Sequence, residues 1–562
     1  MFLDDKFFFT YNQCPHSPKI QIMNKQIIII LFIFHNIFFP AQEKREEIKT
    51  GIWNADNGNG TFTNPIIHSD FSDPDVVKVG DTFYMTASSF NCVPALPILE
   101  SKDLVNWELK NYALKKLVPE ETYSVVQPGK GVWAPCIKFH DNYFYIFYPD
   151  PDFGIYMIKT KDPDKVWSEP ILIKAGKGLI DPSPLWDDDG KASLVYAFAG
   201  SRAGIKSVIM ICTMNKEGTL ANQDDVLLID GHDDEPTIEG PKIYKKNNYY
   251  YIFAPAGGVS TGWQTVLRSK NILGPYEKKK VMDQGKTNIN GPHQGAWIST
   301  DVGEDWFIHF QDQGPFGRIL HLEPMTWKDD WPTIGNDSDI NGIGEPVSTF
   351  KKPNLARSYP KISPPDSDEF SFPKLGLQWQ WQANPQIIWG FPSSLGFFTL
   401  NCIPKPVDFK NLFEVSNVLL QKLPAPHFTA TTKIDVFLKD ETEEAGLVLL
   451  GLDYAYLKIK KRGNQLVVSQ IICESADKKT SEKEIDSIFF NSKSVFLRVK
   501  ITEDGKSNFF VSDDNLNFKK IGNSFQMKEG KWIGAKIGFV ALREKFTNDA
   551  GYIKIDWIRF QK

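Results

Sequence analysis

Five positions spread along this chain carry side chains suited to proton transfer or to gripping a polar ligand: Asp73, Trp133, Asp181, Glu239 and His293. Three carboxyls and an imidazole could serve general acid–base chemistry, and an indole offers a flat apolar face. Their spacing makes them a set. Each opens one copy of a loose pattern, a short strand, a polar turn and a second strand. The copies run Asp73-Pro74-Asp75-Val76-Val77, Trp133-Ala134-Pro135-Cys136-Ile137, Asp181-Pro182-Ser183-Pro184-Leu185, Glu239-Gly240-Pro241-Lys242-Ile243 and His293-Gln294-Gly295-Ala296-Trp297. Successive starts lie 60, 48, 58 and 54 residues apart (133−73, 181−133, 239−181, 293−239).

Repetition at roughly 50 residues with two or more strands per unit is the mark of a β-propeller. A second echo supports this. Ser101-Lys102-Asp103…Trp107, Thr160-Lys161-Asp162…Trp167 and Ser269-Lys270-Asn271…Tyr276 follow their own motif starts by 28, 27 and 30 residues (101−73, 160−133, 269−239). Each unit therefore continues into outer strands, and five units predict five blades. The first strand of a blade lies nearest the axis, so the five opening residues are expected to converge on one central channel.

Any one of these acids, taken alone, reads as a turn residue, because Asp-Pro and Gly-Pro pairs punctuate strands everywhere. Three acids at the equivalent position of a repeat read differently, since converging carboxylates repel one another. Such a cluster suits glycoside hydrolysis, in which one protonated acid serves the leaving oxygen and one carboxylate activates water or attacks the sugar. A third carboxylate nearby would raise the acid's pKa. The same cluster also suits a divalent cation, because Ca²⁺ favours carboxylate oxygens.

These residues resemble glycoside hydrolase family 43, in the branch of β-xylosidases and α-L-arabinofuranosidases that carries a C-terminal β-sandwich. The matching stretches are Asn64-Pro65, Asp70-Phe71-Ser72-Asp73-Pro74-Asp75, Ser101-Lys102-Asp103-Leu104-Val105-Asn106-Trp107, Trp133-Ala134-Pro135 and Asp181-Pro182-Ser183. They continue through Glu239-Gly240-Pro241, Gly291-Pro292-His293-Gln294-Gly295 and Gly317-Arg318…Leu322-Glu323-Pro324, so the likeness runs from about residue 60 to the C-terminus. The resemblance implies that Asp73 is the general base, Glu239 the general acid and Asp181 the carboxylate that tunes the acid's pKa. It implies inversion at the anomeric carbon, with the base and acid roughly 6.5–9.5 Å apart. It further implies that Arg318 contacts the terminal sugar and that His293 lies near the axis beside a structural Ca²⁺ reached partly through waters, with no cofactor required. For the aromatic wall of the sugar site, Trp133 is the first candidate and Phe90 the second. Ala95 and Glu100 depart from the glycine and histidine expected there, which bears on subsite shape.

Other motifs read more plainly. Asp187-Asp188-Asp189-Gly190 lacks the downstream glutamate of a calcium loop and is expected to be a hairpin turn. Asp233-Asp234-Glu235 reads as a surface loop. Ala256–Gly262 is glycine-rich without the Lys-Ser/Thr ending of a phosphate loop, and is expected at the channel mouth.

The chain has 562 residues, enough for more than one domain, and a formal net charge of −5. No basic patch interrupts this, which argues against nucleic acid as a partner. Lys25 followed by Ile27–Phe34 and Ile37–Phe39 has the layout of a signal peptide, too short and broken for a transmembrane anchor. Export to the periplasm or beyond is therefore expected, with the true start at Met23, residues 1–22 an upstream extension and cleavage near Ala41. The six cysteines form no Cys-x-x-Cys pair and are expected as buried free thiols.

The resulting division is residues 1–41 as extension plus leader, 42–352 as a five-bladed propeller, 353–368 as a Pro-rich linker and 369–562 as a β-sandwich. The last rests on period-two alternation, as in Phe428–Val436, Tyr456–Lys460, Val495–Lys500 and Tyr552–Trp557. The resemblance implies a jelly roll of the concanavalin A type that can lend a loop to the active-site mouth, with Glu544-Lys545-Phe546-Thr547-Asn548 as the candidate. The function expected is an all-β, inverting exo-glycosidase acting on pentose-containing oligosaccharides, a β-xylosidase. The alternatives are an α-L-arabinofuranosidase or a bifunctional enzyme, then an endo-arabinanase or a non-catalytic glycan-binding propeller.

Overall fold

A computed structural model of the chain describes residues 50–355, 357–371 and 374–562. The signal-peptide layout, with Met23 and Ala41, falls outside these residues. No helix among the described residues is long and apolar enough to cross a membrane.

Five four-stranded antiparallel sheets follow one another, each built from contiguous sequence. Blade 1 runs from Asp75–Val79 to Trp107–Leu114, blade 2 from Cys136–His140 to Ile171–Ala175 and blade 3 from Leu179–Trp186 to Val226–Asp230. Blade 4 runs from Lys242–Lys246 to Glu277–Met282, and blade 5 from His293–Ser299 to Trp331–Ile334. The hairpins inside blades are set by local chemistry. Asp141 and Asn142 both take positive φ (52° and 61°) between Cys136–His140 and Tyr143–Asp150, as a two-residue type I′ turn requires. Asp187–Asp189 forms the expected turn, with the Asp187 N–H donating to the Lys191 carbonyl at 2.8 Å.

Blade strands are apolar on both faces because each blade is packed between two others. Five apolar clusters fill the interfaces. Ile98 meets Ile137 and Ile146 between blades 1 and 2, and Tyr145 and Phe147 meet Leu194 and Tyr196 between blades 2 and 3. Val195 meets Ile243 and Ile252 between blades 3 and 4, Phe253 meets Phe307 between blades 4 and 5, and Met85 meets Ile308 and Leu320 between blades 5 and 1. The last cluster closes the ring. Strand Thr61–Thr63 pairing with Thr349–Lys351 latches it from outside the blades.

The rest of the chain forms two packed sheets of eight and seven strands, antiparallel except for one short parallel pair. Their inner faces make a single core. Residues 353–368 are no loose tether. The Ile52 N–H donates to Asp366 at 2.6 Å, the Gly51 N–H to Ser363 at 3.1 Å, and Asp368 bridges to Ile558 in the sandwich. All five cysteines of the described residues are buried and free.

Candidate active site

In four of the five blades a residue at or next to the repeat opening takes a left-handed conformation that kinks the chain there. Asp73 and Asp181 sit at φ 54° and 55°, a left-handed conformation rare outside glycine. In blades 4 and 5 the positive φ falls one residue later, at Gly240 (60°) and Gln294 (32°). Ladder irregularities at Ile180/Ser183 and His293/Gly295 mark the same places. Such strain persists where surrounding contacts over-determine it, and it gathers at functional sites.

The three acids then share one environment. Asp73 is 5% exposed. Its carboxylate accepts from the Ser88 hydroxyl at 2.5 Å and from Arg318 Nη1 at 3.1 and 3.3 Å. These donors fix the orientation of the carboxylate beside the other two acids. Asp181 accepts from the Gly240 N–H at 2.8 Å and from Gln294 Nε2 at 3.4 Å, so it grips the backbone immediately after Glu239. Burial, opposed by that N–H and then reinforced by the charge of Asp73, pushes Asp181 up to about 6. Among the described residues no such donor reaches Glu239. Burial first and the Asp181 charge second push it up to about 8, against the pull of Arg318. Its side chain keeps 32% exposure, through which a ligand could reach it. Adjacent acids driven apart in this way can work as an acid and a base at one pH.

His293 is 1% exposed and neutral, because burial, aided by Arg318, drives its pKa down to about 3. Its Nε2 lies 3.7 Å from Glu239, too far for a hydrogen bond, and neither ring nitrogen has a hydrogen-bond partner among the described residues. That orphaned pair fits ordered water on the axis. It does not make a direct calcium site: no group of three His, Cys, Asp or Glu side chains that could hold a metal ion occurs among the described residues, and Ca²⁺ takes six to eight oxygens. Waters would have to supply nearly all the ligands of an ion there.

Below the acids lies a pair that sequence reasoning left without a role. Lys242 is fully buried, donates to the Pro135 carbonyl at 2.7 Å and lies 3.8 Å from Asp75, which in turn accepts the Ile137 N–H at 2.7 Å. Ser183 does for blades 3 and 4 what Asp75 does for blades 1 and 2, accepting the Ile243 N–H at 3.0 Å. Nothing in the sequence set Lys242 apart from Lys245 and Lys246 of the same strand.

At the rim, Trp133 lies 6.0 Å from Phe90 and 5.9 Å from Trp532, a residue of the sandwich. Phe90 is only 2% exposed, as deep as Asp73, so the aromatic surface open at the mouth belongs to Trp133 and to Trp532, which is 44% exposed. The cleft is lined by Val259, Asp312, Arg318, Glu529, Lys531 and Trp532. The glycine-rich loop after blade 4's second strand therefore reaches the mouth, as expected, through Val259. Asp233 and Asp234 are exposed, whereas Glu235 is buried and accepts from Trp263 and Thr265 at 3.0 and 2.9 Å.

The loop lent by the sandwich is the one around Trp532; Glu544–Asn548 is not it. Glu544 reaches Lys405 of its own domain, and Phe546, 81% exposed, lies against Arg543. The reason is direction. Strand Lys536–Arg543 separates the two loops, and its eight residues put them at opposite ends, roughly 25 Å apart at the usual strand rise. Trp532→Ala is expected to raise KM about tenfold and change kcat little, the effect of losing one aromatic wall of a sugar site. Steady-state kinetics on an aryl glycoside checks this, and an unchanged KM would remove Trp532 from the site.

A buried carboxyl pushed above its usual range, a donor-fed carboxylate, an arginine beside it and an aromatic rim are the parts that glycoside hydrolysis calls for. Residues 62–332 match the model of glycosyl hydrolases family 43, and residues 367–561 match that of the beta xylosidase C-terminal concanavalin A-like domain. The chain belongs to glycoside hydrolase family 43. It is 32% identical over 562 residues to a beta-xylosidase of Formosa agariphila, covering 91% of this chain and 92% of that one. It is 28% identical to the non-reducing end alpha-L-arabinofuranosidase BoGH43B of Bacteroides ovatus, over 81% of this chain and 86% of the other. In fold it matches the crystal structure of a xylan beta-1,4-xylosidase of Bacillus halodurans with a TM-score of 0.78 at 22% identity, over 89% of this chain and all of that one.

Proposed function

We propose that this hydrolase is an exo-acting β-xylosidase that releases xylose from the non-reducing end of short xylan-derived oligosaccharides with inversion. The observation that carries the reading is the convergence of three acids: Glu239 and Asp181, both raised by burial and by a neighbouring carboxylate, and Asp73, which accepts from Arg318 and Ser88. Asp73 takes a proton from water as its oxygen bonds to the anomeric carbon. The bond from that carbon to the leaving oxygen breaks, and Glu239 protonates that oxygen. Asp181 holds the Glu239–Gly240 backbone and, by its charge, keeps Glu239 protonated. Arg318, positioned against Asp73, also contacts the terminal sugar, while Trp133, backed by Phe90, packs on an apolar sugar face. His293 orients water near Glu239, and no step needs a metal.

The loop carrying Trp532 closes one side of the cleft, which supports exo over endo action. The name of the Formosa relative supports xylose; that of the Bacteroides ovatus relative keeps arabinofuranose as the second reading. Paired aryl β-D-xyloside and aryl α-L-arabinofuranoside substrates separate them: the proposal requires the larger kcat/KM on the xyloside. The leader-like stretch Lys25–Phe39 supports export as the site of action.

The pH profile supplies a further test. Activity is lost as pH rises through the pKa of Glu239, because the donor must carry its proton. Asp181→Asn removes the negative charge that helps hold that pKa up, so the alkaline limb of kcat/KM is expected to move to lower pH. A limb that stays in place, or moves up, would contradict the role given to Asp181.

A further inference from the structure

Asp70 stands three residues before the base, is 3% exposed, and has no part in the chemistry described above. Its carboxylate joins three segments. Oδ1 accepts the Arg318 N–H at 2.9 Å and the Ser72 hydroxyl at 3.4 Å, while Oδ2 accepts the Gly534 N–H from the sandwich at 3.1 Å. The Asp70 carbonyl accepts Lys422 Nζ, also from the sandwich, and Lys422 lies over the Phe71 ring. Both oxygens are thus divided between the strand that begins with Arg318 and the loop that carries Trp532.

The approach is too close for any side chain but hydrogen. A Cβ on Gly317 would sit 2.6 Å from the Asp70 carboxyl carbon, and a Cβ on Gly534 would sit 2.8 Å from Gly317 N. The turn Gly314–Phe316, which leads into Arg318, is held from the same side. Phe316 is buried in the sandwich core, and the Ala535 N–H donates to the Pro315 carbonyl at 2.8 Å.

We propose that Asp70 is a positioning residue that sets Arg318, and through it Asp73, in register with the sandwich loop walling the cleft. An Asp70 variant then fails in two ways at once. The loop drifts and Trp532 leaves the sugar, which raises KM; Arg318 shifts against Asp73, which lowers kcat. A residue that merely stabilised the fold would change the melting temperature and the active fraction and leave both constants per folded molecule as they were.

The test is a double-mutant cycle in the full chain with Asp70→Asn, Trp532→Ala and the pair, scored by kcat and KM on an aryl pentoside. Asp70→Asn is expected to lower kcat/KM about tenfold, the scale of one charge-assisted hydrogen bond. Trp532→Ala, costly in the parent, should then cost less than about threefold in the Asp70→Asn background, because the ring has already left its place. Costs that simply multiply, or an Asp70→Asn enzyme with parental constants, would overturn the proposal. If Asp70→Asn does not fold, Gly534→Ala replaces it: the acid stays, the added methyl pushes the loop off Gly317, and the same non-multiplicative pattern with Trp532→Ala is required. The inference rests on Asp73 and Trp532 belonging to the sugar site. Failure of that reading looks different, since the parent would then hydrolyse no aryl pentoside and Asp73→Asn would match it.

Discussion

Replacing Glu239 by Gln should remove nearly all turnover on substrates with a poor leaving group, by about 10²–10⁴-fold, the usual contribution of one positioned acid. The amide keeps the shape and cannot donate a proton to the glycosidic oxygen. The loss should shrink sharply on aryl glycosides whose phenolate leaves without protonation, because the missing step is then dispensable. Equal losses on both substrate types would assign Glu239 some other part. Stability should move the opposite way. Glu239 is held above its ordinary value of 4.5, up to about 8, so the folded state keeps a proton that the unfolded chain releases as pH passes 4.5. The fold is therefore destabilised progressively between those pH values, and by a constant amount above them. Gln removes the ionisation altogether. Glu239→Gln should melt at a higher temperature than the parent at pH 8, with the difference vanishing near pH 4. A variant less stable than the parent at pH 8 would mean that the carboxylate stabilises the site.

Asp73→Asn is the second large effect and has the contrary signature. Without a base no water is activated, so turnover should fall about 10²–10⁴-fold on poor and good leaving groups alike. Arg318 loses its charged partner as well, and KM should rise as the guanidinium leaves the geometry it holds 3.1 Å from Asp73. Comparing the two variants on the same pair of substrates separates acid from base without any ligand-bound structure. If Asp73→Asn kept its rate on the activated substrate, the base would lie elsewhere.

The propeller and its three acids were legible in the sequence for a single reason. Rotational repetition places equivalent residues at one axis, so Asp73, Asp181 and Glu239 could be grouped by their position in the repeat. Arg318 lies outside the repeated motif and was reached by resemblance alone. What repetition could not show were contacts between unlike parts. Ser88 meets Asp73 only because the strand returns from its hairpin, with the Ser88 N–H bonded to the Ser72 carbonyl at 2.9 Å. Lys242 meets Asp75 across the axis. Trp532 and Gly534 come from a different domain, 399 positions from Trp133 and 464 from Asp70, and nothing local marks them. The expectation for Glu544–Asn548 failed on such a point, because alternation along a strand predicts the strand without saying which end faces the propeller. The prolines of 353–368 read as a connecting segment, and they could not show that buried side chains such as Asp366 pin part of it down.

A single water, activated by Asp73, is expected to displace the leaving group from the side opposite Glu239. Proton NMR of the first-formed sugar, recorded before mutarotation, tests this directly. From an aryl β-D-xyloside the α-anomer of xylose should appear first and relax toward the equilibrium mixture. The β-anomer appearing first would mean a covalent intermediate on the enzyme, and Asp73 could not be the residue that activates water in a single displacement.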